Sequence, residues 1–142
     1  LRRWLTWERQ TQSAHDCEQF IASRLQITAE NGGFTAAIWH KDQLAGLIEL
    51  QKISWVDRRS AIGYWLGEAF QGHGLMTAAC RVVVDYGFDA FGLNRIEIVA
   101  AAENKRSRAI PERLGFHQDG ILRQFQQVNG HYLDMVVYSM LA

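Results

Sequence analysis

The sequence contains few of the residues that cross-link or break a fold, with one proline and two cysteines in 142 residues. Cys17 and Cys80 lie far apart and form no CxxC motif, which argues against a disulfide framework and favours a reducing, cytoplasmic setting. No apolar run is long enough to cross a bilayer, and the first segment, LRRWLTWERQ, lacks the apolar core of a signal peptide. The sequence therefore indicates no membrane partner.

The chain also lacks an excess of either charge, since 15 Lys and Arg balance 15 Asp and Glu. Domains that bind a nucleic-acid backbone usually carry a basic excess, so no nucleic-acid partner is expected. The five histidines show no metal-ligand spacing and no cysteine joins them, so no metal site is predicted. With 48% hydrophobic and 21% charged residues, the composition is that of one globular domain over residues 1–142.

Hydrophobic periodicity predicts a helix, three strands, a second helix, a strand, a third helix and a final hairpin. The predicted segments are 13–29, 34–40, 44–55, 61–67, 74–91, 95–102, 105–114, 121–128 and 131–141. The strands on either side of the second helix form a β-α-β crossover and should be parallel, while the other pairs should be antiparallel. This order predicts an α+β (mixed α/β) fold. Pro111 cannot donate to the carbonyl of Ser107, so the third helix should kink or restart there.

A glycine loop joins the third strand to the second helix: Gln71, Gly72, His73, Gly74, Leu75 and Met76. A helix N-terminus offers unpaired amides and a partial positive charge, and glycines let a phosphate approach the backbone. The loop lacks the third glycine of a dinucleotide fingerprint and the Gly-Lys-Ser/Thr of a Walker A loop. A diphosphate held by backbone amides fits this pattern, and a plain connecting turn is the alternative. His73 is either a phosphate ligand or an exposed side chain.

The glycine loop at residues 71–76 is followed, one helix and one strand later, by a second motif that begins at Asn104-Lys105-Arg106-Ser107 and ends at Leu114-Gly115-Phe116. Two motifs in this order resemble the GNAT family of N-acetyltransferases. The segments IGYWLGEAFQGHG and VNGHYLDMVVYSML are similar to the branch that acetylates ribosomal-protein N-termini. The resemblance covers nearly the whole chain. It implies a mostly antiparallel GNAT sheet flanked by helices, with the acyl-CoA site on the β-α-β crossover.

The chain departs from the family pattern in two places. The last small residue of the loop motif is replaced by Met76, so close approach must come from Gly72 and Gly74. Family members begin with a further strand and part of a helix, so the chain is expected to lack the family's first strand. An incomplete acceptor side of the cleft is the expected consequence.

The resemblance implies acetyl transfer from acetyl-CoA to an amine, with no metal. The loop amides would hold the diphosphate, and Arg106 would meet a nucleotide phosphate unless it is simply solvated. The pantetheine arm would pair with the end of the third strand, where a slot opens at Leu66-Gly67 and a backbone amide faces the thioester oxygen. Asn104 would bind the same arm.

Two residues are candidates for the proton transfers. Ser107 could protonate the leaving thiolate, and a helix-surface serine with a local hydrogen bond is the alternative. Glu49 could assist the amine because an acidic side chain in the apolar strand LAGLIELQ calls for a reason, and a solvated outer face is the alternative. Alternation places Leu47, Glu49 and Gln51 on one face of that strand. A strand tyrosine, such as Tyr138, is another candidate acid.

The acceptor stays open at this stage. The resemblance favours the α-amino group of a ribosomal-protein N-terminus. A polyamine, an aminoglycoside-like amine, and a form that binds coenzyme A without turnover are the alternatives. Relatives of this branch are often dimers, so the resemblance also suggests a homodimer. Trp4 and Trp7 are expected in the core, in an interface or along the acceptor cleft.

Overall fold

The computed structural model describes residues 3–5 and 11–142, so Trp7 lies outside the described residues. The elements are α1 (Ala14–Ala29), β1 (Phe34–His40), β2 (Gln43–Leu50), β3 (Arg59–Leu66), a 3-10 turn (Glu68–Phe70), α2 (Leu75–Asp89), β4 (Arg95–Ala101), α3 (Lys105–Leu114), β5 (His117–Val128) and β6 (His131–Leu141). The predicted order of helices and strands is confirmed. No helix among these residues is long and apolar enough to cross a membrane.

The described strands form one six-stranded sheet in the order β1-β2-β3-β4-β6-β5. Only β3 and β4 run parallel, and they are the strands that flank α2. The other neighbours are antiparallel, as the sequence predicts. The mixed α+β fold is therefore confirmed, with one crossover inside a mostly antiparallel sheet.

The helices lie on both faces of the sheet. Ile48 and Leu50 of β2 are buried against α2 residues such as Val84, which places α2 on their face. Glu49, between them, points to the other face and meets Arg24 of α1 there. The main core lies between the sheet, α2 and α3, and it includes Ile62, Met76, Cys80, Val83, Leu93, Ile96, Ile98, Ile110, Phe116, Val136 and Tyr138.

Helix α1 forms where the apolar spacing predicts it, but it buries none of its residues. Phe20, Ile21 and Leu25 are 37%, 55% and 65% exposed. The helix is defined by its start, where Ser13 accepts a hydrogen bond from the Asp16 amide and Asp16 caps the Ser13 amide in return. Local capping therefore sets this helix more than burial of its apolar stripe does.

Two strand boundaries differ most from the prediction. Strand β2 ends at Leu50, and the following segment turns back so that Ser54 bridges Arg59. Strand β5 begins at His117, because its first residues pair with β6 around Ser139. The hairpin turn itself is confirmed, with φ of 54° at Asn129 and 82° at Gly130.

Helix α3 runs unbroken from Lys105 to Leu114, so the predicted restart at Pro111 is wrong. The proline does remove the backbone donor to the Ser107 carbonyl. The Tyr64 hydroxyl donates to that carbonyl instead, at 3.0 Å. A side chain from the neighbouring strand therefore satisfies the acceptor that the proline leaves, and the helix continues.

A charged cluster joins three strands on the α1 face of the sheet. Arg95 of β4 donates to Glu97 at 2.7 Å and to Asp119 of β5. Asp119 also bonds His117 at 3.0 Å and accepts from Ser139 of β6 at 2.9 Å. These partners, Arg95 first, lower the pKa of Asp119 from 3.8 to about 2. The carboxylate is therefore held charged where β4, β6 and β5 meet.

This cluster predicts a specific acid sensitivity. Because the folded pKa of Asp119 lies below its unfolded value, its stabilisation is present above pH 4 and is lost as the pH falls towards 2. Asp119→Asn should lower the free energy of unfolding at pH 7 by up to about 1 kcal/mol, the range of partly exposed ion pairs. It should also flatten the decline in melting temperature between about pH 4 and pH 2. Asp57→Asn, at the exposed pair with Arg59, is the control, and an equal flattening there would contradict the assignment.

Candidate functional site

Strands β3 and β4 separate part of the way along their length. They pair from Arg59 opposite Arg95 to Ile62 opposite Ile98, and Gly63 to Leu66 have no partner on β4. A wedge-shaped opening therefore begins at Gly63, earlier along β3 than the Leu66-Gly67 position that the resemblance implies. Leu66 lies along the opening rather than at its apex.

Alternation along β3 decides which amides face this opening. The Gly67 amide donates to the Ala45 carbonyl of the β2 side at 2.8 Å, and the Ala61 carbonyl accepts from the Gln51 amide at 2.8 Å. Since backbone groups of alternate residues point to the same side, Gly63 and Trp65 also face β2. The amides of Tyr64 and Leu66 therefore point into the opening. The Gly67 amide already donates its hydrogen bond to the Ala45 carbonyl, so it cannot make the predicted contact with the thioester oxygen.

The glycine loop lies at the end of the opening, before α2. Gly72 and Gly74 have φ of +81° and +74°, in the left-handed region that favours glycine. A Cβ added at either position would meet nothing within 4 Å, so the conformation rather than crowding requires glycine. The first intrahelical bond of α2 runs from the Ala78 amide to the Gly74 carbonyl at 3.0 Å. The preceding amides have no acceptor within the helix, so the loop offers the kind of donors that an anion-binding surface needs.

The side chains of the loop divide between structure and surface. Met76 is 5% exposed and packs in the core, so it offers the loop only its amide. Leu75 is half-buried, and His73 is exposed. The His73 Nδ1 lies 3.4 Å from the Phe70 carbonyl, and its ring centroid lies 6.2 Å from that of His40. A phosphate contact by His73 stays a prediction.

Gln71 connects the loop to both sides of the opening. Its side-chain amide donates to the Leu66 carbonyl at 3.1 Å. Its side-chain oxygen accepts from Arg106 of α3 at 2.8 Å. The structure thus brings the two sequence motifs together, because Arg106 at the start of α3 reaches the loop at the start of α2. The guanidinium of Arg106 therefore lies beside the loop whose amides have no acceptor within α2.

The start of α3 carries the other two predicted residues. Asn104 caps the helix, with its side-chain oxygen accepting from the Ser107 amide at 3.3 Å. That bond uses the oxygen and leaves the two amide N–H groups of the same side chain as donors. Ser107 is half-buried and donates its hydroxyl to Tyr64 at 3.3 Å. Both residues lie across the opening from the separated end of β3.

Tyr64 is a site residue that the sequence reasoning did not identify. Its hydroxyl donates to the Ser107 carbonyl and accepts from the Ser107 hydroxyl. Burial raises the pKa of Tyr64 well above its ordinary value, so the phenol stays protonated and remains a donor. The sequence does contain a signal for it. Pro111, four residues after Ser107, has no N–H, so the Ser107 carbonyl needs a donor from outside the helix.

Glu49 of β2 lies on the opposite face of the sheet from Ser107 of α3. Its carboxylate pairs with Arg24 at 3.2 Å and accepts from Gln51 at 3.2 Å. It rests against Gly63, where an added Cβ would come within 2.9 Å of the carboxylate oxygen. The shared face of Glu49 and Gln51 is therefore confirmed. The Glu49 side chain is 23% exposed and paired with Arg24, so it is only partly solvated, and its part in proton transfer stays a prediction.

Tyr138 has a structural role that the sequence reasoning did not foresee. It is 1% exposed, accepts from Arg108 at 2.8 Å and donates to Glu112 at 2.7 Å. Arg108 also donates to the Ala102 carbonyl at 3.0 Å. These bonds attach α3 to β6 and to the end of β4. The Tyr138 hydroxyl therefore positions α3.

Within the described residues, no three His, Cys, Asp or Glu side chains are grouped so that they could hold a metal ion.

Comparison with known proteins agrees with this geometry. The model of the acetyltransferase (GNAT) domain matches residues 1–117. YdaF of Bacillus subtilis strain 168, named as a candidate ribosomal N-acetyltransferase, is 39% identical over 142 residues, which are 99% of this chain and 78% of YdaF. The ribosomal-protein-serine acetyltransferase of Escherichia coli strain K12 is 26% identical over 141 residues, 99% of this chain and 79% of that protein.

A solved structure shares the fold. The self-immunity acetyltransferase MccE, in complex with acetyl-CoA and AMP, superposes with a TM-score of 0.92 at 28% identity. The match covers 99% of this chain and 78% of MccE. The separated β3–β4 pair, the glycine loop and the family match point to one conclusion: the chain belongs to the GNAT acetyltransferase domain family, and it is an N-acetyltransferase.

Proposed function

We propose that this enzyme transfers an acetyl group from acetyl-CoA to the α-amino group of a protein N-terminus, that of a ribosomal protein. The observation that carries the proposal is the opening between β3 and β4, bounded by the glycine loop at one end and by Asn104 and Ser107 across it. One wall offers free backbone amides, and the other offers side-chain donors. A thioester on an amide-bearing arm matches that combination.

The residues around the opening fit coenzyme A. The amides of Gly72 to Met76, with Arg106 beside them, would hold the diphosphate. The backbone of Tyr64 and Leu66 would pair with the pantetheine arm as an added strand would, and Asn104 would donate to it. The acetyl-CoA bound by MccE, a relative of the same fold, supports this assignment.

The chemical step needs a neutral amine and a protonated leaving group. Acetyl-CoA supplies an activated acyl group, and an amide of β3 would donate to its carbonyl oxygen as charge develops there. Ser107 would supply the proton to the departing sulfur from the α3 side. As the C–N bond forms and the C–S bond breaks, Glu49, on the other face of the sheet beside Gly63, would orient the amine and accept the proton that its nitrogen loses.

Charge and two of the relatives support this acceptor class. An α-amino group with a pKa of about 7.7–8.0 is roughly a tenth neutral at pH 7, whereas a lysine side chain near 10.4 is neutral about four times in ten thousand. On the α1 face, Glu49 is paired with Arg24, and both Glu97 and Asp119 are paired with Arg95. A polyamine would need unpaired carboxylates there. The relatives named for ribosomal acetylation favour the same acceptor.

The setting that we propose is cytoplasmic, in keeping with the two free thiols of Cys17 and Cys80. A homodimer remains part of the proposal on the strength of the resemblance alone. Sedimentation of the purified chain would test it.

Thiol release from acetyl-CoA tests the proposed reaction directly. Peptides that begin with Ser or Ala and contain one internal lysine should give turnover, with mass spectrometry locating the acetyl group on the α-amine. The same peptides with a blocked N-terminus are matched controls and should give none. If spermidine gave turnover and the peptides gave none, the acceptor would be a polyamine and the peptide proposal would be wrong. Binding of acetyl-CoA without any product would identify a non-catalytic coenzyme A module.

The glycine loop gives a prediction on binding. Gly74→Ala places a side chain in a left-handed conformation, which should lower the free energy of unfolding by about 1–2 kcal/mol. It should also weaken acetyl-CoA binding about tenfold, because the amides of the loop would shift. Gly92→Ala is the matched control, since Gly92 lies at the other end of α2 with φ of +59° and the same free space. Calorimetry should find its acetyl-CoA affinity unchanged, and an equal loss in both variants would contradict the loop assignment.

The two candidate proton-transfer residues give separate kinetic predictions. Ser107→Ala and Glu49→Gln should each lower kcat about tenfold or more without weakening acetyl-CoA binding, as expected for loss of an acid or base. Glu97→Gln is the control, because Glu97 is an arginine-paired carboxylate on the same face at the paired end of β3 and β4. If Glu97→Gln matched Glu49→Gln in kcat, the general charge of this face would account for both effects.

A further inference from the structure

Ser107 has an unusual backbone environment for a helix residue. In a regular helix its carbonyl would accept from the amide of residue 111, but that residue is a proline and has no N–H. Pro111 is buried, and Ser107 is half-buried. A buried carbonyl without a donor is costly, so some other group has to satisfy it.

The Tyr64 hydroxyl satisfies it and binds the same residue twice. It donates to the Ser107 carbonyl at 3.0 Å and accepts from the Ser107 hydroxyl at 3.3 Å. Two hydrogen bonds from one phenol fix both the backbone and the side chain of Ser107. Tyr64 also belongs to the part of β3 that has separated from β4. The contact therefore spans the opening and ties its two walls together.

We propose that Tyr64 is a positioning residue, which holds the Ser107 hydroxyl towards the opening and sets the distance between β3 and α3. Pro111 makes this arrangement possible, because it removes the amide that would otherwise occupy the Ser107 carbonyl. The inference rests on the proposed function of Ser107. Tyr64 itself acts through Ser107 and takes no part in proton transfer.

The role of the backbone bond can be measured without activity. Tyr64→Phe should lower the melting temperature by about 3 °C or more, since both hydrogen bonds of the phenol are lost, including the one to the Ser107 carbonyl. In a Pro111→Ala background the same change should cost much less, because the new alanine amide donates to the Ser107 carbonyl. Tyr86→Phe is the matched control, since it removes a hydroxyl from a half-exposed tyrosine of α2. Equal costs of Tyr64→Phe in both backgrounds would overturn the proposal.

The positioning role needs a kinetic readout. With acetyl-CoA and a Ser-initiated peptide, Tyr64→Phe should lower kcat about tenfold and leave the KM for acetyl-CoA within about twofold. The double variant Tyr64→Phe/Pro111→Ala should recover its melting temperature but keep the low kcat, because the Ser107 hydroxyl still lacks its acceptor. Recovery of kcat together with stability, or an unchanged kcat in Tyr64→Phe, would overturn the proposal.

Failure of the proposed function would look different. If the wild-type chain turned over neither peptides nor spermidine, the acetyl-transfer proposal would fail while the melting-temperature cycle still tested the Tyr64–Pro111 link. Crystal structures of the wild type and Tyr64→Phe with coenzyme A would then decide the positioning role. The Ser107 hydroxyl should turn away from residue 64 in the variant, and an unchanged rotamer would overturn the inference.

Discussion

The separation of β3 from β4 after Ile62 and Ile98 is the constraint on which the rest of the site depends. Parallel strands normally exchange hydrogen bonds along their whole length, so a gap exposes backbone groups that need partners. The carbonyl of Leu66 is taken by Gln71, and the amides of Tyr64 and Leu66 face the gap. A ligand with its own amides can complete this edge. The opening is thus a part of the sheet in which β3 and β4 lack each other as hydrogen-bond partners.

Helix α3 is held at a fixed distance from that edge by two sets of bonds. Tyr64 reaches it from β3, and Arg108 joins it to Tyr138 of β6 and to the end of β4. Hydrogen bonding to Tyr138, against some desolvation, raises the pKa of Arg108, so this anchor is cationic at all ordinary pH. Helix α3 therefore cannot move relative to β3, β6 or the end of β4 without breaking these part-buried hydrogen bonds. Because Asn104 and Ser107 lie at the start of α3, these bonds also fix their positions.

The sequence alone could predict the order of the elements, the parallel crossover and the two motifs. These features are local: alternation sets strands, Ser13 and Asn104 cap helices, and Asn129-Gly130 makes the hairpin turn. Strand ends were less predictable. The end of β2 at Leu50 depends on a reversal that brings Ser54 to Arg59, which no single-strand pattern records.

The sequence by itself determined a GNAT-like crossover with a glycine loop before one helix and an asparagine cap before the next. Only the tertiary structure decided how they meet: Arg106 reaches Gln71, Glu49 pairs with Arg24, and Tyr64 replaces the donor that Pro111 lacks. The reason is physical. Periodicity and capping act over one or two turns, whereas these partners lie 25 to 43 residues apart and meet only once the sheet has formed.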